Sequence, residues 1–390
     1  MFVFKHTSYK YNLKYGIQKA ERSMGRAPKY QQITEWIQNQ IASGELSGGD
    51  RLESEHELSA RFRLSRQTVR HALSELEEAG IVSRVKGSGT YIQYGTGSTE
   101  PLSQTVTIIS TYADSYIFPR LLQVMVRRLS KAGYSTKIMF TNNRVETEGR
   151  LLRQLLSEGS RDPLLIEPVM SGLPNPNSGY YRKLQAAGIP ILFFHSFYPE
   201  LSIPHVSMDD RAVGRAAAEY LLRQGHTRIG GIFKADDGQG RLRYAGFTDA
   251  MRASGAEIRE ERISWIDTQE LRDQLSYSPY ILRRLQTCSA CVCYNDEIAH
   301  LVTEQCLQAG IRIPDDLSLV SVDNSELAKL NAVPLTSVIH PLEALGEKVA
   351  ENLLRLIADR ECDATFEFAP QIEERASVLP TVSAAQSNNQ

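Results

Sequence analysis

A chain of 390 residues is too long for one ordinary core and sets an expectation of two or three domains. Hydrophobic residues at 42% and charged residues at 23% are ordinary for a water-soluble protein, and no stretch approaches the roughly 18 apolar residues of a membrane span, which argues against a membrane protein. The net charge of −2 conceals an asymmetry: residues 1–94 hold 14 Lys and Arg against 10 Asp and Glu, with six of the basic groups in residues 1–27. Residues 28–94 are therefore close to neutral, and any nucleic-acid argument rests on where their charges fall.

Residues 1–27 lack apolar periodicity and read as a basic, disordered extension, the alternative being a DNA-contacting arm. They also lack the apolar run of a secretory signal, which places the chain in the cytoplasm. From Pro28, the spacing of Tyr30, Ile33, Ile37 and Ile41 predicts an amphipathic helix over 28–43, closed by Gly44. Ser54-Glu55-His56-Glu57 is a capping box that opens a second helix, with Leu58 and Phe62 inward. Ser65 can cap a third, whose Val69, Ala72, Leu73 and Leu76 form a buried stripe and leave Arg66, Gln67, Arg70 and His71 on the outer face. Gly80 ends that helix, and residues 81–85 and 90–92 read as strands joined by the Gly87-Ser88-Gly89 turn.

A helix, a turn and a second helix with a polar outer face meet the requirement for entering the major groove of double-stranded DNA, where Arg pairs with guanine and Gln with adenine. Residues 61–71 hold four arginines and no acid; a solvated face used for protein contacts is the competing reading. The candidate DNA contacts are Lys29, His56, Arg66, Gln67, Thr68 and Arg70, with Lys86, Gly87 and Gly89 at the hairpin tip. The segment LSRQTVRHALSELEEAGIVSRVKGSGTYI resembles the gluconate-repressor (GntR) family of winged helix-turn-helix regulators over residues 28–93. Glu53 stands where that family usually has proline and His56 where arginine is common, which bears on how the chain runs into the second helix and on a backbone contact.

Residues 95–104, GTGSTEPLSQ, have the composition of a flexible linker. Beyond them short apolar runs at 106–111, 136–140, 164–167, 191–194, 228–233, 290–294 and 319–322 alternate with helical stretches that end in glycine, the pattern of parallel sheets flanked by helices. Residues 105–379 suffice for two α/β lobes with a ligand cleft at the carboxyl ends of the strands, and residues 380–390 read as a disordered tail. Five cysteines, all in the last third, suit neither a disulfide framework nor a metal site; Cys288, Cys291 and Cys293 run into an apolar strand as small filler. No phosphate-binding loop, nucleophile elbow or zinc-protease motif is present, so neither a cofactor nor catalytic residues are expected.

Several segments of this half resemble the lactose-repressor (LacI) family, whose sensor shares the two-lobed fold of periplasmic sugar-binding proteins: DDRAVGRAAAEYLLRQGHTRIGGI, GRLRYAGF, YNDEIA, and IPDDLSLVSVDN followed by PLTSV. A winged helix of the one family on a sensor of the other is similar to the arabinose-type repressors, and STYADSYIFP, LLIEP and GIFKADDGQG carry that likeness. The resemblance implies a sugar-released transcriptional repressor that acts as a homodimer, with L-arabinose as effector; a transport component or a sensor of another pentose or hexose are the alternatives. It also implies that Arg241 and Asp296, at helix starts, hold sugar hydroxyls, joined by Glu167 and His340 after strands, by His195, and by Tyr116 or Phe118 stacked on the ring.

Overall fold

The computed structural model describes residues 30–43, 45–46, 50–78, 81–85, 88–92, 101–112, 116–273 and 278–381. The 1–27 extension, most of the 95–104 segment and most of the tail lie outside the described residues. The chain divides into two compact units, one on Met1–Thr99 with Ala186–Gly188 and one on Glu100–Gln185 with Ile189–Gln390.

In the first unit α1 (Gln31–Ser43), α2 (Glu55–Phe62) and α3 (Arg66–Glu78) are followed by an antiparallel hairpin, β1 (Val82–Val85) and β2 (Gly89–Ile92). The regular helix opens at Gln31 rather than at 28, with Tyr30 as a turn whose carbonyl accepts from the amides of Ile33 and Thr34. Ile33, Ile37, Leu58, Val69, Ala72 and Leu73 are fully buried in one core, as their spacing requires. The capping box forms: Ser54 Oγ accepts from the Glu57 amide and the Glu57 carboxylate accepts from the Ser54 amide at 2.7 Å. Glu53 pairs with Arg61 from the far end of α2, so the helix keeps its cap without the family's proline. Residues 50–52 add a short third edge to the hairpin, Leu52 N–H donating to Thr90 O and Ile92 N–H to Asp50 O. Gly89, at φ +139°, lets the Arg51 side chain cross, since a Cβ there would lie 2.8 Å from Arg51 Nε.

The second unit holds two six-stranded sheets. The first lobe runs β3 (Thr105–Ser110), α4 (Phe118–Lys131), β4 (Ser135–Phe140), α5 (Val145–Ser157), β5 (Leu164–Ile166), α6 (Ser178–Ala186), β6 (Ile191–His195) and β7 (His205–Met208). The second runs α7 (Asp210–Arg223), β8 (Ile229–Lys234), α8 (Gly238–Ala253), β9 (Ile263–Ile266), α9 (Thr268–Arg272), α10 (Ser278–Leu285), β10 (Ala290–Cys293), α11 (Asp296–Gln308), β11 (Ser318–Asp323), α12 (Glu326–Leu330) and β12 (Thr336–Ile339). The chain then returns: α13 (Leu342–Ala358) packs Leu345, Val349 and Leu353 against Leu121 and Met125 of α4, and β13 (Phe366–Phe368) pairs with β7. Finally β14 (Ile372–Glu373) adds antiparallel to β12 in the second sheet. Strand orders are β13-β7-β6-β5-β3-β4 and β14-β12-β11-β10-β8-β9, parallel throughout except for β14. The interior strands β8, β10 and β11 are buried along their whole length, as sheets covered on both faces demand.

The lobes are joined at three crossings, near Asp209, at His340-Pro341 and at 369–371, tied by Asp209 N–H to Phe368 O and Ile339 N–H to Gln371 O. Helices α7 and α8 touch backbone to backbone through Gly214 and Gly246, where a Cβ would fall 1.9 Å from Arg243 O and 1.8 Å from Arg211 O. That contact fixes the rotation of α8 and hence the direction of each side chain on it. The four cysteines of the second lobe sit buried in its core without a disulfide.

Candidate functional site

On the winged helix the outer face of α3 presents Arg66, Gln67 and Arg70 exposed, while Thr68 is half-buried, its amide donating to Ser65 Oγ to cap the helix. Arg66 reaches His56 Nδ1 at 3.4 Å, and Arg70 Nε donates to Glu55 Oε2 at 2.7 Å. Both arginines are thus held by side chains of α2. Arg84 of β1 pairs with Glu77 and donates to the Arg70 carbonyl, fastening the hairpin to α3. Gly89 stands at the start of β2; Lys29, Lys86 and Gly87 lie outside the described residues.

The second unit holds a polar cavity of about 70 Å³ between its lobes. The carboxyl ends of β3, β5 and β6 contribute Thr111, Glu167 and His195, the loop before α4 contributes Tyr116, and α4 itself Phe118. From the other lobe come Lys234 at the end of β8 and Asp237 after it, Arg243 on α8, Tyr294 and Asn295 after β10, and Asp323 at the end of β11. Tyr116, His195 and Asp323 have φ of +59°, +67° and +102°, a region that costs non-glycine residues energy and is held here by the surrounding bonds.

Arg243, its side chain 2% exposed, anchors the cavity floor: Nε donates to Asp210 Oδ1 and Nη1 to the Tyr294 carbonyl, with the guanidinium 4.9 Å from the Tyr294 ring. Burial opposes its charge, but the Asp210 carboxylate, with Asp323 nearby, more than offsets that and holds its pKa above the ordinary value. Glu167 accepts from Ser110 Oγ and the Thr111 amide through one oxygen, at 2.8 Å each; burial pushes its carboxyl up to about 7 against those bonds. Asp323 accepts from Tyr116 Oη at 2.6 Å through Oδ2, while its buried Oδ1 has no hydrogen-bond partner among the described residues. Tyr294 Oη and Lys234 Nζ both donate to Asp237 Oδ2.

Of the residues expected to meet the effector, Tyr116, Phe118, Glu167 and His195 line this cavity. Asp296 lies beneath it, both oxygens already engaged: Ser321 and Ser337 hydroxyls donate to Oδ1, the Ser325 amide and hydroxyl to Oδ2, so it orders the wall rather than offering free acceptors. Its own amide donates to Tyr116 Oη. His340, in a crossing, stands behind His195 with Nε2 3.1 Å from His195 Nδ1. Gln239 Nε2 donates to both the ring Nε2 and the carbonyl of His195, which places the His195 proton on Nδ1 and makes it the donor to His340. Burial keeps both rings neutral, His195 well below its usual pKa and His340 at about 4. Arg241 is not among the lining residues; its guanidinium binds the Gly172 carbonyl beside the cavity. The residues missed by sequence reasoning, Arg243, Asp323, Asp237 and Lys234, all lie in segments singled out there, so the signal was present at the level of the segment.

Residues 29–92 match the family described as bacterial regulatory proteins of the gntR family, and residues 218–378 match the periplasmic binding protein-like domain. An arabinose metabolism transcriptional repressor of Geobacillus stearothermophilus is 36% identical over 339 residues, spanning 86% of this chain and 93% of that protein. The chain belongs to the family of arabinose metabolism transcriptional repressors. The counterpart from Halalkalibacterium halodurans is 34% identical over 86% of this chain and 91% of its own length. Among solved structures, a transcriptional regulator CelR–cellobiose complex aligns with a TM-score of 0.63 at 21% identity over 80% of this chain and 90% of its own. A LacI regulator from Alkaliphilus metalliredigens complexed with D-xylulofuranose gives 0.57 at 21% over 71% and 100%. At those identities the likeness bears on the fold. This repressor is accordingly a DNA-binding, sugar-responsive transcriptional regulator, and no described helix is long and apolar enough to cross a membrane.

Proposed function

We propose that the effector of this repressor is L-arabinose, bound in the interlobe cavity, and that its binding releases a homodimer from a pseudo-palindromic operator in the cytoplasm. The observation that carries the reading is the lining itself. Arg243 and Lys234 supply donors, Glu167 and the unpartnered Asp323 Oδ1 supply acceptors, and Phe118 offers a ring edge-on to His195, at 5.5 Å between centroids, for the apolar side of a small sugar. A polyhydroxy ligand without charge needs this mixture. The names of the relatives support arabinose among such sugars. The 28–94 unit binds the operator through Arg66, Gln67 and Arg70 in the major groove, and two copies read two half-sites, since one recognition helix spans few base pairs. Neither unit carries out a reaction in this reading.

Calorimetry of the full chain against pentoses and hexoses, with operator gel shifts at each sugar, tests it. L-arabinose is expected to bind and to release operator; tight binding of a hexose in its place, or operator held equally well at saturating arabinose, overturns the assignment. Sedimentation as a strict monomer at micromolar concentration, with and without sugar, overturns the dimer.

A further inference from the structure

Beside the cavity, with Asn143 common to both, the lobes meet along a seam. The strap after β5 belongs to the first lobe and is fixed there: Met170 N–H donates to Asn143 Oδ1 and Val169 N–H to Tyr198 Oη. The turn between β8 and α8 belongs to the second lobe and is equally fixed, Ala235 N–H donating to Ile266 O and Asp236 Oδ2 accepting from the Thr268 amide. Between these two rigid edges Gly172 N–H donates to Asp236 O at 3.0 Å, Gly238 N–H donates to Ser171 Oγ at 3.0 Å, and the Arg241 guanidinium closes on the Gly172 carbonyl. The approach is as close as backbone allows. A Cβ on Gly172 would lie 2.8 Å from the carbonyl carbon of Asp237 and 2.9 Å from Ala235 O, atoms of main chain that have no rotamer in which to yield.

We infer that Gly172 and Arg241 are positioning residues for the sugar response: they set the free energy of lobe closure, and through it effector affinity, without touching the effector. The inference rests on the reading that the sugar is bound between closed lobes. Because the cavity takes its walls from both lobes, a ligand that contacts both binds the closed form, and whatever stabilises closure adds to its apparent affinity. Arg241 contributes a charge-assisted hydrogen bond made only across the closed seam; Gly172 permits the closure that a larger residue blocks.

Two measurements on the full-length chain test it. The first needs no sugar: hydrogen exchange at the Gly172 and Gly238 amides is expected to quicken in Arg241→Ala, to return towards wild type in Arg241→Lys, and to stay unchanged within β5 and β8. The second is calorimetry with L-arabinose and D-ribose. Arg241→Ala is expected to weaken both sugars by about tenfold, the order of one charge-assisted hydrogen bond, with their ratio unaltered. Gly172→Ala is expected to weaken them further. Wild-type exchange in Arg241→Ala, or wild-type affinity in both variants, overturns the seam. A changed arabinose-to-ribose ratio in Arg241→Ala also overturns it, since Arg241 would then be a sugar contact. Failure of the wild-type chain to bind either sugar sinks the effector assignment alone, because the exchange measurement still decides the seam.

Discussion

The same side chain is used in opposite ways in the two units. Arg70 of the winged helix is 66% exposed and its pair with Glu55 is the kind of surface contact worth at most about 1 kcal/mol, so giving it up costs little. Arg243 of the sensor is 2% exposed and its partner Asp210 is 3% exposed, so neither charge has water to fall back on. The difference follows from what each unit meets. DNA arrives with its own dense charge and needs only cations held at the right places. A neutral sugar brings dipoles alone, and the protein must present charges already oriented and already desolvated.

The strongest way to break this comparison is to delete each arginine. Arg243→Ala leaves Asp210 buried and unpaired and is expected to cost the sensor about 3 to 5 kcal/mol in denaturant unfolding, with loss of sugar binding. Arg70→Ala is expected to stay within about 0.5 kcal/mol of wild type in the same measurement. Equal stability of the two variants removes the contrast. Next, Gly214→Ala drives a methyl into the Arg243 carbonyl and is expected to cost about 1 to 3 kcal/mol in thermal unfolding while rotating Arg243 away from the cavity, which a sugar titration of the same variant reads directly.

On the DNA side, Arg66→Ala or Arg70→Ala is expected to lose about 1 to 3 kcal/mol at the operator when the contact is to a base. A phosphate contact instead weakens every sequence alike and reduces the salt slope, so binding measured on operator and random duplex at several salt concentrations separates the two. The smallest effect is a proton. With its carboxyl raised to about 7, Glu167 is partly protonated at neutral pH; sugar hydroxyls that donate to it favour the ionised form, so binding should release a fraction of a proton and affinity should rise a few-fold from about pH 6 to 8. In the sugar-free protein the sign is reversed for stability: a raised carboxyl contributes fully below its unfolded pKa, and that contribution is lost as pH climbs to about 7. Calorimetry in buffers of different ionisation enthalpy reads the first, urea unfolding across pH reads the second, and Glu167→Gln should flatten both.

Legibility differed between the units for a reason visible in particular residues. In the winged helix the buried stripe of Val69, Ala72, Leu73 and Leu76 leaves one outer face, so periodicity alone places Arg66, Gln67 and Arg70 there. In the sensor the same argument reaches only the segment. Arg241 and Arg243 sit two residues apart on α8, about 200° around the helix, and both are plausible ligands by sequence. Asp296 stands at a helix start as expected, yet four donors from Ser321, Ser325 and Ser337, 25 to 41 residues further along the chain, consume its oxygens. The short strands β7, β9, β13 and β14 escaped notice because β7, β9 and β13 mix polar with apolar residues and β14 spans two positions at a sheet edge.

Local patterning by itself determined the capped helices, the hairpin, the alternation that demands parallel sheets, and the segments that end at the cleft. These depend on contacts a few residues apart, which a linear pattern records. Only the tertiary structure decided which arginine of α8 faces the cavity, that Asp323 rather than Asp296 offers it a free oxygen, and that Gly172 meets the backbone of the opposite lobe. Each of those depends on the rotation or approach of two elements set by packing far apart in the chain, as Gly214 against Gly246 sets α8, and no local period encodes that distance.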